Sequence, residues 1–358
     1  MRARATLRLR WQARRAAVGS IAKVLLLLPC GFASSPSAAQ SEARSAVPRA
    51  EVVAASLAGE LSHLCPATDP GSQAAFDVCR RGLYQSRLMR AQLPDYVLWG
   101  RQRDPTTPLK ETRLTQFGPD VFTGMYISLF MFNGKYSVDW VEREGHCLIR
   151  LQTAFRNRLQ PGQFPYPFWH DADKWATYQN ANEILLWWDP KTARIRVAQF
   201  TRSGAKPPIV VSTPVSHPNF DGQWMWTDSA GTSQPAVTLF DGLFAADNPH
   251  LAGLDAAYRK FALRLRDGQC VHCHVPDNPD GMKKLVLLQT PAHAAAEIQR
   301  VLESVRKDRM PRDEIGIEAP LDDRTKAALL DEGTLFAELV EAARRWEAAH
   351  GLRSVSDR

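Results

Sequence analysis

Residues 254–274 read LDAAYRKFALRLRDGQCVHCH, and the last five of them, Cys270-Val271-His272-Cys273-His274, decide how the C-terminal third of the chain is read. Residues 254–267 are expected to form a helix that runs straight into the five. Two cysteines separated by two residues fall on one helical turn, and a histidine follows at once. Two thiols so spaced can add across the two vinyl groups of a haem, and the adjacent imidazole then faces the iron from the proximal side. The spacing therefore points to one covalent haem c, with Cys270 and Cys273 as its attachment residues and His274 as proximal iron ligand. Two other readings of a Cys-X-X-Cys pair are weaker. A redox dithiol calls for a surrounding thioredoxin-like βαβ pattern, and a structural zinc site calls for a second cysteine pair. Neither accompanies the motif.

Working outward, residues 291–307 and 323–349 read as two further helices. The last carries Leu335, Phe336, Leu339, Ala343 and Trp346 on or near one face. Between the two, Met310-Pro311 lies 36 residues beyond His274 and precedes a polar turn with Gly316. A thioether opposite a histidine favours the ferrous state and raises the potential, which makes Met310 the favoured distal ligand. The bland alternative is a methionine filling the core. Met282 and His293 are the other candidates, but Met282 follows the motif closely and sits in a Pro-Asp-Gly loop.

With these features in place, residues 251–350 resemble a class I cytochrome c domain: a helix entering the attachment motif, a middle helix, a Met-Pro loop and a C-terminal helix. The resemblance implies an all-α haem domain over 251–352, whose first and last helices pack over the haem edge. Phe261 and Leu263 would then meet Leu339 and Trp346. It also implies one-electron transfer between redox partner proteins. The charged stretch Asp308–Asp323 departs from small members of that family.

The N-terminus reads as an export signal. Of 45 Lys and Arg against 38 Asp and Glu in 358 residues, Arg2, Arg4, Arg8, Arg10, Arg14, Arg15 and Lys23 lie in residues 1–39, which hold no acid. The rest of the chain is formally neutral, so the basic balance gives no reason to expect a nucleic-acid partner. The apolar run Val24–Leu28 is interrupted at Lys23 and too short to span a bilayer. Ser37-Ala38-Ala39 reads as a cleavage site for a secretory signal, which would leave a periplasmic or otherwise exported protein without a membrane span. An Arg-rich, acid-poor leader also suits mitochondrial import. Disulfides persist outside the cytosol. Cys65 and Cys79 flank Pro66–Pro70 between two helix-like stretches, 49–64 and 71–91, and are expected to staple that hairpin. Cys147 is left over as a buried small hydrophobe.

After Pro94 the pattern changes from helical to extended. Residues 121–132 and 135–141 are rich in aromatic and branched side chains, and Asn133-Gly134 between them reads as a tight hairpin turn. A second hairpin is expected at Ile184–Trp188 and Ile195–Phe200, turning through Asp189-Pro-Lys-Thr. Ile209–Ser212, Gln223–Trp226 and Ala236–Phe240 read as further strands, and Asp171–Asn180 as a short helix. The whole is thus α+β: a signal peptide (1–39), a helical hairpin (40–94), a mainly antiparallel β region (95–250) and the helical haem domain.

Trp140, Trp169, Trp175, Trp187, Trp188, Trp224 and Trp226 concentrate in the β region. Core packing is the favoured reading, since strands favour aromatics and bury them. The other reading is a platform for a small-molecule ligand. The adjacent pair Trp187-Trp188 faces opposite sides of a strand, so one of the two is expected at the surface or against another domain. His170 with Asp171 and Asp173 reads as a helix cap with a local hydrogen bond more readily than as a metal or acid–base site. His217 and His250 stand isolated. No catalytic motif of phosphate-loop, nucleophile-elbow or HExxH type is present. Electron transfer is the leading function, ahead of a periplasmic haem enzyme with an open iron site and of a haem-linked binding or sensory protein.

Overall fold

The computed structural model describes residues 38–112, 114–157, 178, 180–202, 240, 243–245, 247–270, 273, 274, 288, 291–313 and 316–350. The leader, Met282, the stretch from His170 to Asp173, His217, Trp169, Trp175, Trp224 and Trp226 lie outside them. So do the expected strands at 209–212 and 223–226 and nearly all of 171–180 and 236–240.

The first helix, α1 (Ala38–Leu64), begins earlier than expected and passes through Pro48. The proline forfeits one backbone hydrogen bond, while Ala46 ahead of it stays packed in the core. Ala46, Ala50, Ala54, Leu57, Ala58 and Leu61 recur every three or four residues and are buried. Four alanines along this stripe let the helix lie close against the sheet. Leu57 and Leu61, fully buried, each contribute about 1.5–3 kcal/mol of hydrophobic stabilisation. Two shorter helices follow, α2 (Gln73–Gln85) and α3 (Arg87–Gln92). Ser86 breaks the expected single helix: its hydroxyl accepts from the Met89 N–H and donates to Glu60 at 2.6 Å. Cys65 and Cys79 are joined by a disulfide that ties the end of α1 to α2, as expected, and both are fully buried.

The chain then builds a six-stranded mixed sheet from β1 (Val97–Arg101), β2 (Thr115–Phe117), β3 (Phe130–Val141), β4 (His146–Phe155), β5 (Glu183–Asp189) and β6 (Arg194–Thr201), in the order β2-β1-β6-β5-β4-β3. β3 to β6 form an antiparallel meander. β6 returns to pair with β1 in parallel, and β1 pairs with β2 antiparallel. The expected hairpin at 184–200 is present, with the Asp189 carboxylate accepting from the Lys191 N–H and the Thr192 hydroxyl across its turn.

The expected hairpin at Asn133-Gly134 is not. β3 runs straight through both residues. Gly134 takes a positive φ of 77° where the β3–β4 register shifts, and Asn133 accepts from the Lys135 N–H beside it. This is a bulge, not a turn. The reversal comes at Glu142–Gly145 instead, where Gly145 has φ 62°. Residues 119–129, part of which looked like strand, form α4 (Pro119–Val121) and two irregular helical turns, Phe122–Tyr126 and Ile127–Leu129. Every residue from Phe122 to Leu129 is buried. A segment apolar on all sides carries no period to separate helix from strand.

One face of the sheet packs under α1. Cys147, Ile149, Leu151, Ile184, Leu186, Trp188, Ile195, Ala198 and Phe200 share a core with α1, α2 and α3. Cys147 is fully buried there, as expected, and burial pushes its thiol up to about 11. The other face gathers Leu148, Leu185 and Trp187. Trp187 and Trp188 do face opposite sides, yet both are buried, at 4% and 1% exposure, so neither is at the surface. Trp187 donates to Gln199 at 2.8 Å, and Trp188 lies beneath the Arg49 guanidinium at 5.2 Å. A bulge between Trp187 and Trp188 in the β5–β6 register turns Ile195 and Ala198 to one face despite their odd spacing. Trp140 packs half-buried against the α1 side.

Three long helices complete the fold: α5 (Leu251–Asp267), α6 (Pro291–Arg306) and α7 (Asp323–His350). They share a second core. Its centre is Phe336 of α7, stacked on Phe261 of α5 at 5.5 Å and flanked by Tyr258 and Phe240. Gly253 faces Leu339, and Gly333 sits so tightly that a Cβ there would meet Leu302 at 2.7 Å and Phe261 at 2.9 Å. The first and last of these helices share this core, with Leu263 and Leu339 both packed against it, while Trp346 stacks on His350 of its own helix. Among the described residues no helix is long and apolar enough to cross a membrane.

Candidate haem-binding site

The Cys270–His274 segment begins just past the end of α5. The Gly268 N–H caps the helix on Arg264 O at 2.9 Å, and Gln269 takes a left-handed φ of 57°. This reversal folds Cys270 back onto the helix end. From the position that a Gly268 Cβ would take, Cys270 Sγ is 3.5 Å away and Leu321 Cδ1 3.6 Å away. The His274 N–H then donates to Cys270 O at 3.1 Å, so a single helical turn carries Cys270, Cys273 and His274. The Leu288 N–H donates to His274 O at 3.1 Å and ties down the turn's far end.

Both thiols are free and half-buried. Cys270 packs at the margin of the α5–α7 core. Burial, with the neighbouring Cys273 thiol adding to it, pushes the Cys270 thiol up to about 11. At neutral pH it is therefore a neutral thiol. A reactive dithiol is found where the surroundings lower the thiol pKa. Among the described residues no three His, Cys, Asp or Glu side chains converge as a metal-binding group.

Met310 lies past the end of α6, half-buried, and is followed by a cis peptide bond to Pro311. A small hairpin follows. The Asp313 N–H donates to Ile317 O and the Ile317 N–H to Asp313 Oδ1, both at 2.8 Å. The Ala319 N–H closes on Pro311 O at 3.0 Å, and Gly316 occupies the left-handed region at φ 87°. Its exit brings Leu321 back against Gly268 beside Cys270. Leu321, beyond the Met-Pro loop, is thus the sequence-distant residue that the fold places at the end of α5 beside Cys270.

His293 is placed differently. It lies on α6 with 1% exposure, edge-on to Phe117 at 4.5 Å and to Tyr126 at 5.5 Å. Its ring belongs to the aromatic cluster beside the sheet, and burial pushes the imidazole down to about 3. His250 stands at the start of α5, where its N–H donates to Asn248.

Sequence reading passed over the centre of that cluster. Trp99 donates through Nε1 to the Tyr178 hydroxyl at 2.7 Å and packs on Phe122 and Phe200 at 5.2 and 5.3 Å. The partners are scattered over more than a hundred residues, so no local pattern announces them. Arg156, fully buried at the end of β4, was equally silent: one arginine closing a strand looks like a solvent-facing charge. Compared with known proteins, the chain matches no family model, and no curated protein or solved structure matches it.

Proposed function

We propose that this is an exported, single-haem c-type cytochrome that works in one-electron transfer. One observation carries the reading: two free thiols and a histidine share a single turn at the end of α5, with the His274 N–H bonded to Cys270 O. Cys270 and Cys273 would hold the porphyrin through thioethers, a role suited to a protonated thiol at an apolar margin. His274 would be the proximal iron ligand and Met310 the distal one. When bound, haem c supplies a reversible one-electron couple at iron, its potential set by the axial ligands and the burial around them.

The chain's own residues do the positioning. Gly268 and Gln269 turn the motif back against α5, and the α5–α7 core keeps water from one side of it. Leu321 brings the Met-Pro hairpin alongside. The Cys65–Cys79 disulfide agrees with an oxidising compartment, and the basic leader with export. The sheet region would set the choice of redox partner, through the small, transient interfaces usual for such encounters.

The test is an absorption spectrum of the purified protein, oxidised and reduced, with and without carbon monoxide, for the parent and Met310→Ala. A six-coordinate c-type spectrum blind to carbon monoxide, with the variant gaining carbon monoxide binding and a lower potential, is expected. A parent that binds carbon monoxide rapidly would favour an enzyme with an open iron site. A protein that carries no haem after expression with the haem-attachment machinery would end the proposal.

A further inference from the structure

The sheet ends on two unlike edges. At one, β2 is three residues long; at the other, β3 is twelve residues long. The first part of the β3 edge is covered by the turn that follows α1. The Phe132 N–H donates to Cys65 O at 2.8 Å, and the Ala67 N–H to Phe132 O at 3.1 Å. Ser62 of α1 reaches over Gly134, its Oγ 3.4 Å from the position that a Gly134 Cβ would take. Beyond that point the cover stops. Among the described residues nothing pairs with the outer side of residues 136–140. Lys135, Tyr136, Ser137 and Asp139 are all exposed.

An open strand edge presents unpaired N–H and C=O groups that accept a further strand. The open stretch reads Lys135-Tyr136-Ser137-Val138-Asp139, and it is complementary to itself run backwards. When two copies lie antiparallel with Ser137 against Ser137, Lys135 of each faces Asp139 of the other, and Tyr136 faces Val138. The faces agree as well. Val138 packs on the α1 side of the sheet and Val141 on the opposite side, so alternation sets Lys135, Ser137 and Asp139 together on the side of Val141. Opposite charges and aromatic–branched pairs are both favourable cross-strand neighbours. Asp139 accepts from Arg150 Nε at 3.2 Å within its own sheet, and with 59% of its side chain exposed it has room for a second cation. A lysine on an edge ordinarily repels other strands. The acid at the mirror position makes this lysine selective for a second copy of the same strand.

We propose that two copies of this chain dimerise through this edge, β3 against β3, antiparallel about Ser137, joining the two sheets into one. The contact is isologous, so it uses up the open edge of both copies and closes at two. The stretch is short and buries little area, so the dimer is a weak one. It is independent of the haem reading and stands or falls without it.

The test is sedimentation velocity of the purified full protein over a concentration series, with the fold of each variant checked by far-ultraviolet circular dichroism. The parent should pass from monomer to dimer as concentration rises. Lys135→Glu sets acid against acid at both ends of the pairing, and Asp139→Lys sets lysine against lysine. Each change turns two attractive pairs into two repulsive ones and should weaken the dimer about tenfold or more. Mixed in equal amounts, the two variants should dimerise again. The new acid of one then meets the new lysine of the other, and the native pair is kept at the opposite end. A parent that stays monomeric throughout overturns the proposal, as do variants that dimerise like the parent or a mixture of folded variants that stays monomeric. Should either variant not fold, Ser137→Lys decides in its place. It sets two like charges on the axis of the pairing, and a dimer that it leaves unchanged overturns the proposal.

Discussion

Replacing His293 with leucine should remove much of the protein's sensitivity to mild acid. The imidazole is 1% exposed between Phe117 and Tyr126, and burial pushes it down to about 3, against an ordinary value of 6.5. Folding thus holds it neutral over a range where the unfolded chain takes up a proton. Its contribution is complete above pH 6.5 and is lost as pH falls from there toward the folded value. Between pH 7 and pH 5 the lost stability comes to about 2 kcal/mol, and each further unit down to about pH 4 costs about 1.4 kcal/mol more. Glu297, one turn along α6, works the other way: burial raises its carboxyl, so folding favours its protonated form. The leucine variant keeps Glu297, so the difference between the two proteins isolates the imidazole. Leucine also keeps the site apolar and nearly fills it, so at pH 8 the two should lie within about 1.5 kcal/mol of each other. The measurement is urea unfolding followed by far-ultraviolet circular dichroism at pH 8, 7, 6 and 5. A parent whose stability is flat from pH 7 to 5, or a variant that keeps the parent's slope, would refute the assignment of this titration to His293.

Two further outcomes test the packing. Serine at both Cys65 and Cys79 opens a loop whose ends are 14 residues apart, and chain entropy puts the loss at about 3 kcal/mol; denaturant midpoints that match those of the parent would contradict this. Gly333→Ala gains about 1 kcal/mol in helix propensity, but its methyl group would sit 2.7 Å from Leu302 and 2.9 Å from Phe261. With overpacking at about 1–3 kcal/mol, a net loss of stability is expected, and a more stable variant would show that α5, α6 and α7 separate freely.

The parts legible in the sequence are those whose physics is local. The Cys270–His274 spacing is a statement about one turn of chain, and the His274 N–H bond to Cys270 O closes such a turn. The helices at 251–267, 291–306 and 323–350 fall within a few residues of expectation because each ends at a glycine, a proline or a change of period. Asn133-Gly134 was misread because a positive φ serves a bulge as well as a turn, and only the pairing with β4 separates the two. Phe122–Leu129 was misread because burial on every side erases periodicity.

What the sequence by itself determined is that Cys270, Cys273 and His274 lie within five residues of one another, and the Cys65–Cys79 pairing was legible too, since both follow from spacing along the chain. Only the tertiary structure decided that β6 turns back to lie parallel to β1, that Leu321 returns to Cys270, that His293 joins the sheet's aromatic cluster, and that Arg156 is sealed inside. Each of these depends on which distant surfaces exclude water from one another, and no window of neighbouring residues holds that information.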